Sequence, residues 1–197
     1  AMISLSDLHD VEMANAKSGS WWEAHPYRAL ANNSAVYEDK PQMDEFMDEW
    51  TRIYRSYSGE RGIFNRQAAQ LCSKDIKRDP DHNFGTNPCG EITLRPMQFC
   101  NLTEVVLRKG DEVDAVLEKI EAATAIGCIQ ATCTKFPYLR DEWQENTEEE
   151  ALLGVSLTGI ADFNPTPHEY NLFRNRANKM ADGYAALLGI NRPAAVT

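Results

Sequence analysis

The chain has 197 residues, 43% of them hydrophobic, which is enough for one substantial core or for part of a larger one. Thirty acidic against 20 basic residues leave a formal charge of −10, which disfavours a nucleic-acid partner because phosphates need compensating Lys and Arg. No apolar run approaches the ~18 residues that span a bilayer, so a membrane role has no support; five cysteines without a framework pattern, and no signal peptide at the start, place the chain in a reducing cytoplasm.

In chain order, residues 2–5 read as a short strand and residues 11–17 as a helix closed by Gly19. Trp21-Trp22, beside Pro26 and charged neighbours, read as a packed loop rather than a nucleobase platform. Residues 34–38 suit a strand. Between 43 and 57 the apolar positions Met43, Phe46, Met47, Trp50, Ile53 and Tyr54 recur at helical spacing, which predicts an amphipathic helix packed on the core. Gly59-Glu60-Arg61-Gly62 is a turn, structural or in contact with a sugar because Glu60 would repel phosphate, and Asn65 can cap a helix running to Ile76. Residues 74–81 form a mixed-charge solvated loop.

Further on, residues 103–107 read as a strand, and Asp111 opens a long helix with Val113, Val116, Leu117, Ile120 and Ala123 on one stripe. The acidic stretch 142–150 reads as a solvated face. Residues 154–159 suit a buried strand, with Ser156 and Thr158 as satisfied core hydroxyls, and a final helix runs from Pro167 to Leu188 and ends at Gly189. Strands alternating with crossover helices argue for an α/β fold with parallel pairs.

The chemistry concentrates in Asn87-Pro88-Cys89-Gly90-Glu91, which sets a thiol between an amide and a carboxylate. Held extended, Asn87, Cys89 and Glu91 would share one face and point at one ligand. Glu91 can take a proton from a hydroxyl, Asn87 can orient it through hydrogen bonds, and Cys89 can serve as nucleophile, thiolate or hydrogen-atom donor. No histidine stands nearby, which weighs against a Cys-His hydrolase. The plain alternative is a turn with a small buried cysteine and a solvated glutamate. Cys72, Cys128 and Cys133 fall in predicted helices or at their ends and read as buried packing residues. No Cys-x-x-Cys pair and no cysteine-histidine spacing suggests a metal site.

Several blocks decide between these readings: Ile3-Ser4-Leu5-Ser6-Asp7-Leu8, Ala29-Leu30-Ala31-Asn32-Asn33-Ser34-Ala35-Val36-Tyr37, Ser58-Gly59-Glu60-Arg61-Gly62-Ile63-Phe64-Asn65-Arg66, the run from Asn87 to Glu104, and Glu148-Glu149-Glu150-Ala151-Leu152-Leu153-Gly154-Val155-Ser156-Leu157-Thr158-Gly159-Ile160. In this order the chain resembles the ribonucleotide reductases, most closely the adenosylcobalamin-dependent (class II) ribonucleoside-triphosphate reductases. The resemblance implies that residues 1–197 are part of that family's ten-stranded α/β barrel, with the thiol on an internal finger loop and the N- and C-terminal parts of the catalytic domain missing.

The same resemblance gives Cys89 the role of a thiyl radical that abstracts the ribose 3′ hydrogen, Glu91 that of the base for the 3′-hydroxyl proton, and Asn87 that of holding the ribose hydroxyls. Cys100 matches one half of the redox-active dithiol, its partner lying outside the chain. The spacing of eleven positions between Cys89 and Cys100 is typical of the cobalamin-dependent class, and it counts against the large subunit of an iron-dependent enzyme. Implied partners are a ribonucleoside triphosphate, a thioredoxin-like reductant and the missing segments of the same enzyme; adenosylcobalamin is the implied cofactor. The chain has no glycine-rich phosphate loop of its own for a polyanionic substrate. Ala194-Ala195-Val196-Thr197 resembles the residues before a phosphate-contacting segment where inteins insert, so a split, intein-interrupted or truncated gene is expected, with a non-catalytic remnant as the alternative.

Overall fold

Parallel strands joined by helices organise both halves of the chain. The computed structural model describes residues 2–57 and 61–197, which divide into two units, Ala1–Pro96 and Met97–Thr197. The predicted turn at Gly59 and Glu60 lies outside the described residues.

In the first unit, β1 (Met2–Asp7), β2 (Ala31–Tyr37) and β3 (Gly62–Asn65) form a parallel sheet in that order. Ile3 is opposite Asn32 and Ser34 is opposite Gly62. β2 starts three residues earlier than its β-branched content suggests, because two asparagines with low strand propensity find partners: Asn32 donates to the Pro88 carbonyl and Asn33 to that of Met13. The predicted helix over 11–17 is cut to one turn, α1 (Val11–Ala14), capped by Asp10. Asn15 turns its amide back onto the Val11 carbonyl, and Lys17 leaves the helix to place its ammonium on Ala31. The tryptophans lie in a short helix, α2 (Trp21–Ala24), not in a packed loop; Lys17 sits 5.1 Å from the Trp21 ring centre, while Trp22 is 55% exposed. A 3-10 turn at Pro26–Leu30 leads into β2.

Helix α3 (Met43–Ser56) crosses from β2 to β3 and forms where the periodicity predicts, but only part of its apolar stripe is covered: Phe46, packed on Tyr37, and Ile53 are half-buried. Met43, Met47, Trp50 and Tyr54 are exposed, and the side chain the helix buries is Glu49, 3% exposed, against Arg61. Periodicity identifies an apolar face; it does not supply the surface that covers it. α4 (Arg66–Asp75) is capped as expected, with the Asn65 side chain accepting from the Ala68 amide at 2.7 Å. The loop after it is less solvated than its charge suggests, because Arg78 is buried, lies over the Phe84 ring and donates to the Thr93 carbonyl at 3.0 Å. A short antiparallel hairpin, β4 (Gly85–Thr86) and β5 (Thr93–Leu94), completes the unit.

In the second unit, β6 (Asn101–Val106) and β7 (Leu153–Thr158) pair in parallel, and residues 195–197 run along the other side of β7 through Leu153 and Val155. α5 (Val113–Ala131) buries the predicted stripe: Val116, Ile120 and Ala123 join the core, with Val113 and Leu117 packed at its margin. Gly127 lets the helix approach β7, since a Cβ there would lie 2.1 Å from a Leu153 methyl. The acidic stretch forms α6 (Asp141–Glu150), whose last residue is buried and accepts from Gln98 at 2.6 Å, so the face is not wholly solvated. Ser156 and Thr158 on β7 are exposed rather than core hydroxyls; the buried part of the strand is Leu153, Gly154 and Val155. After α7 (Ile160–Phe163), α8 (Pro167–Leu188) packs Phe173, Ala177 and Ala181 into the core. Its first turn carries a reciprocal Thr166–Glu169 cap, and Gly189 ends it at φ 68°. No helix among the described residues is long and apolar enough to cross a membrane.

Candidate active site

The thiol loop is the tip of the β4–β5 hairpin. Its base is anchored by Phe84 and Ile92, both buried, and by Arg66, which donates to the Phe84 carbonyl at 2.9 Å. At the tip, the Gly90 amide donates to the Asn87 carbonyl at 3.0 Å, closing a turn through Pro88 and Cys89. Pro88 supplies the fixed φ that such a turn wants, and Gly90 takes φ +83°, a value that other residues adopt only with strain.

This geometry corrects the extended arrangement. A turn does not set i, i+2 and i+4 on one face, so Asn87, Cys89 and Glu91 do not project in parallel. Asn87 has a structural task as well, because its Oδ1 accepts the Ile92 amide at 3.1 Å and the Thr86 hydroxyl at 3.4 Å. Cys89 and Glu91 are exposed at the tip.

Beside the tip lies a cavity of about 400 Å³, lined on the loop side by Thr86, Pro88, Cys89 and Gly90 and on the sheet side by the polar Asn32, Asn33 and Ser34, by Gly62 and by the apolar Ile3, Ile63 and Phe64. Strand alternation explains the sheet side. Asn33 and Tyr37 of β2 meet the helices, Asn33 bonding to the α1 backbone and Tyr37 packing against Phe46 of α3, which leaves Asn32 and Ser34 for the opposite face. Gly62 keeps β3 low there, since a Cβ would lie 2.6 Å from the Ser34 hydroxyl. The cavity is therefore walled by both polar and apolar side chains with a thiol at its edge, a setting suited to a small ligand that carries hydroxyls.

Behind the sheet, Arg61 and Glu49 form a buried ion pair at 2.6 Å. Arg61 also donates to the Ser6 hydroxyl at 2.8 Å, and Arg52 donates to the second Glu49 oxygen at 3.1 Å. Burial, with the Glu49 charge second, raises the Tyr37 phenol above its ordinary pKa, so it stays protonated. This network locks β1, β3 and α3 together under the cavity. Sequence reading missed Asn32, Ser34 and the Glu49–Arg61 pair as determinants of the site; the Asn-Asn-Ser run ahead of the apolar part of β2 was the available signal.

Cys100 stands immediately before β6 in the second unit and is half-buried. Among the other cysteines only Cys128 is a buried packing residue, its thiol pushed up by burial; Cys72 and Cys133 are exposed, contrary to the expectation from their helical positions. Helical location fixes a rotation about an axis, not the neighbours that bury it.

Fold and site together describe a mixed α/β protein with parallel sheets and a thiol-bearing hairpin beside a polar cavity. Similarity to known proteins, weak and partial, falls on adenosylcobalamin-dependent ribonucleoside-triphosphate reductases. The enzyme of that name from Lacticaseibacillus paracasei is 28% identical over 171 residues, covering 83% of this chain and 21% of the relative. That of Lactobacillus leichmannii is 30% identical over 118 residues, covering 50% and 16%. That of Levilactobacillus brevis is 27% identical over 150 residues, covering 72% and 19%. The chain thus spans about a fifth of the length of the curated relatives it matches. No family model and no solved structure matches it.

Proposed function

We propose that this chain is a segment of the catalytic barrel of an adenosylcobalamin-dependent ribonucleoside-triphosphate reductase, which makes deoxyribonucleotides by thiyl-radical chemistry. One observation carries the reading beyond the similarity to the reductases: Cys89 stands on a turn at the edge of a polar cavity of about 400 Å³, a volume suited to a sugar and its hydroxyls. The whole enzyme's substrate, reductant and localisation in the cytoplasm follow from this proposal.

The Cys89 sulfur, as a thiyl radical, takes the hydrogen atom from the ribose 3′ carbon. Glu91 accepts the 3′-hydroxyl proton, later returned to the 3′ oxygen, while the 2′-hydroxyl takes a proton from the dithiol that contains Cys100 and leaves as water. A dithiol containing Cys100 supplies two electrons and becomes a disulfide, and Cys89 returns the hydrogen atom. The net change is a ribonucleotide and a dithiol converted to a deoxyribonucleotide, water and a disulfide. The Asn87 amide nitrogen is the part of that side chain available to the sugar, since its oxygen holds the turn. Such a reaction needs thiol, carboxylate and sugar fixed in near-attack geometry away from bulk water. The exposed tip of this segment therefore works only when the remaining enzyme covers it.

The cavity beside Cys89, about 400 Å³, is sized for a sugar and not for a corrin macrocycle.

The test is reconstitution: the missing segments supplied with a ribonucleoside triphosphate, adenosylcobalamin and a dithiol. The parent sequence should form deoxyribonucleotide and Cys89→Ser should fall to background. Reduction retained by Cys89→Ser would sink the radical assignment, and Cys100→Ser should limit turnover with a protein reductant.

A further inference from the structure

Local bonds give the thiol loop its shape, but they do not say where the tip sits over the sheet. The Gly90–Asn87 and Ile92–Asn87 bonds all lie within the hairpin. Arg66 and Arg78 hold the Phe84 and Thr93 carbonyls, and both of those belong to the hairpin base. At the tip a different contact acts: the Asn32 side chain, on the middle strand of the parallel sheet, donates to the Pro88 carbonyl at 2.7 Å across 56 residues of sequence.

We propose that Asn32 is a positioning residue for the Cys89 thiol: its amide pins the peptide immediately preceding Cys89 to β2 and thereby sets the sulfur's place beside the cavity. This rests on the reading of Cys89 as the reactive thiol. The chemistry of the contact is specific. The Pro88 carbonyl is an acceptor, so the group that grips it must be a donor. Asn32 is a donor on the face of β2 that carries Ser34 and faces the loop, and it also lines the cavity, as Cys89 does. The pinned carbonyl belongs to the peptide whose nitrogen is that of Cys89. A slip of the bond therefore moves Cys89 directly, and a displacement of about 1 Å at a reacting group is costly to rate.

Three variants of the full 197-residue chain separate a donor from a space-filler. Asn32→Asp keeps the shape and replaces the donor by a carboxylate facing a carbonyl; Asn32→Ala removes both; Asn32→Gln keeps a donor on a longer arm. Amide hydrogen exchange is read at Gly90 and Ile92, with the α5 amides as internal reference. Losing one such bond should speed exchange at the tip by about fivefold in Asn32→Asp and Asn32→Ala, with α5 unchanged and Asn32→Gln close to the parent. Parent-like exchange in Asn32→Asp would show a packing role and overturn the proposal, as would an equal acceleration at α5, which would mean general destabilisation. In the reconstituted enzyme, Asn32→Asp should lower kcat with KM little changed. The exchange result needs no turnover, so an inactive parent would refute the reductase reading while the anchoring of the loop tip by Asn32 is decided by exchange alone.

Discussion

The two units solve the problem of a parallel sheet with opposite materials. In Met97–Thr197, β6, β7, α5 and α8 close over a continuous apolar cluster that runs from Val105 and Leu107 through Ile120 to Phe173. In Ala1–Pro96, Glu49, Arg61 and Ser6 form a buried polar network between sheet and α3, beside the packing of Tyr37 on Phe46, and the helix turns four large apolar side chains to the outside. An apolar core gains from the area removed from water and tolerates imperfect geometry. A buried ion pair gains little net stability but penalises any structure that breaks it. The unit that carries the thiol is thus held in register by directional bonds, and the unit without it is held by packing.

Breaking the buried pair should have the largest effect. Glu49→Ala leaves the Arg61 guanidinium buried without its carboxylate, and chemical denaturation should show the first unit destabilised by about 3–5 kcal/mol. A cavity in the second unit should come next. Ile120→Ala, at a site 1% exposed, should cost about 3 kcal/mol, with exchange accelerated in α5 and α8. If Glu49→Ala proves milder than Ile120→Ala, the contrast between a polar and an apolar frame fails.

A smaller effect is expected at the α8 cap, where Thr166→Ala should cost about 1 kcal/mol by thermal denaturation. The cap also links stability to pH. The hydrogen bond from Thr166 lowers the Glu169 pKa, that from Thr134 lowers Glu148, and that from Lys119 lowers Asp111. Each is ionised more readily folded than unfolded, so its contribution is present above the ordinary carboxylate range of about 4 and is lost as pH falls through the depressed folded values. Thr166→Ala should therefore flatten the acid limb of the stability profile; a wild-type slope would remove Glu169 from the account. The smallest effect belongs to the outer face of α3. Trp50→Gln, at a side chain 53% exposed, should change the stability of the chain by less than about 0.5 kcal/mol in denaturation.

Much of this was legible beforehand. The α5 stripe, the Asn65 cap, the Pro167 start and Gly189 stop of α8 and the parallel pairing all follow from local rules, because capping and periodicity act within a few residues. The α3 stripe misled, since an apolar face is a property of one helix and burial is a property of two surfaces. Cys72 and Cys133 misled for the same reason. In the candidate site, Pro88 and Gly90 announced a bend, yet the sharing of one face by Asn87, Cys89 and Glu91 required an extended chain that the Asn87–Gly90 bond forbids.

By itself the sequence determined the α/β class and which residues are the candidates for chemistry, a thiol, a carboxylate and an amide within five positions. Only the tertiary structure decided that Asn87 spends its oxygen on the turn, that Glu49 takes the fully buried place on α3, and that Asn32 reaches the peptide before Cys89. The physical reason is range. Residue chemistry and backbone preference are local, whereas a hydrogen bond across 56 residues exists only after strands and loop have been brought together by everything between them.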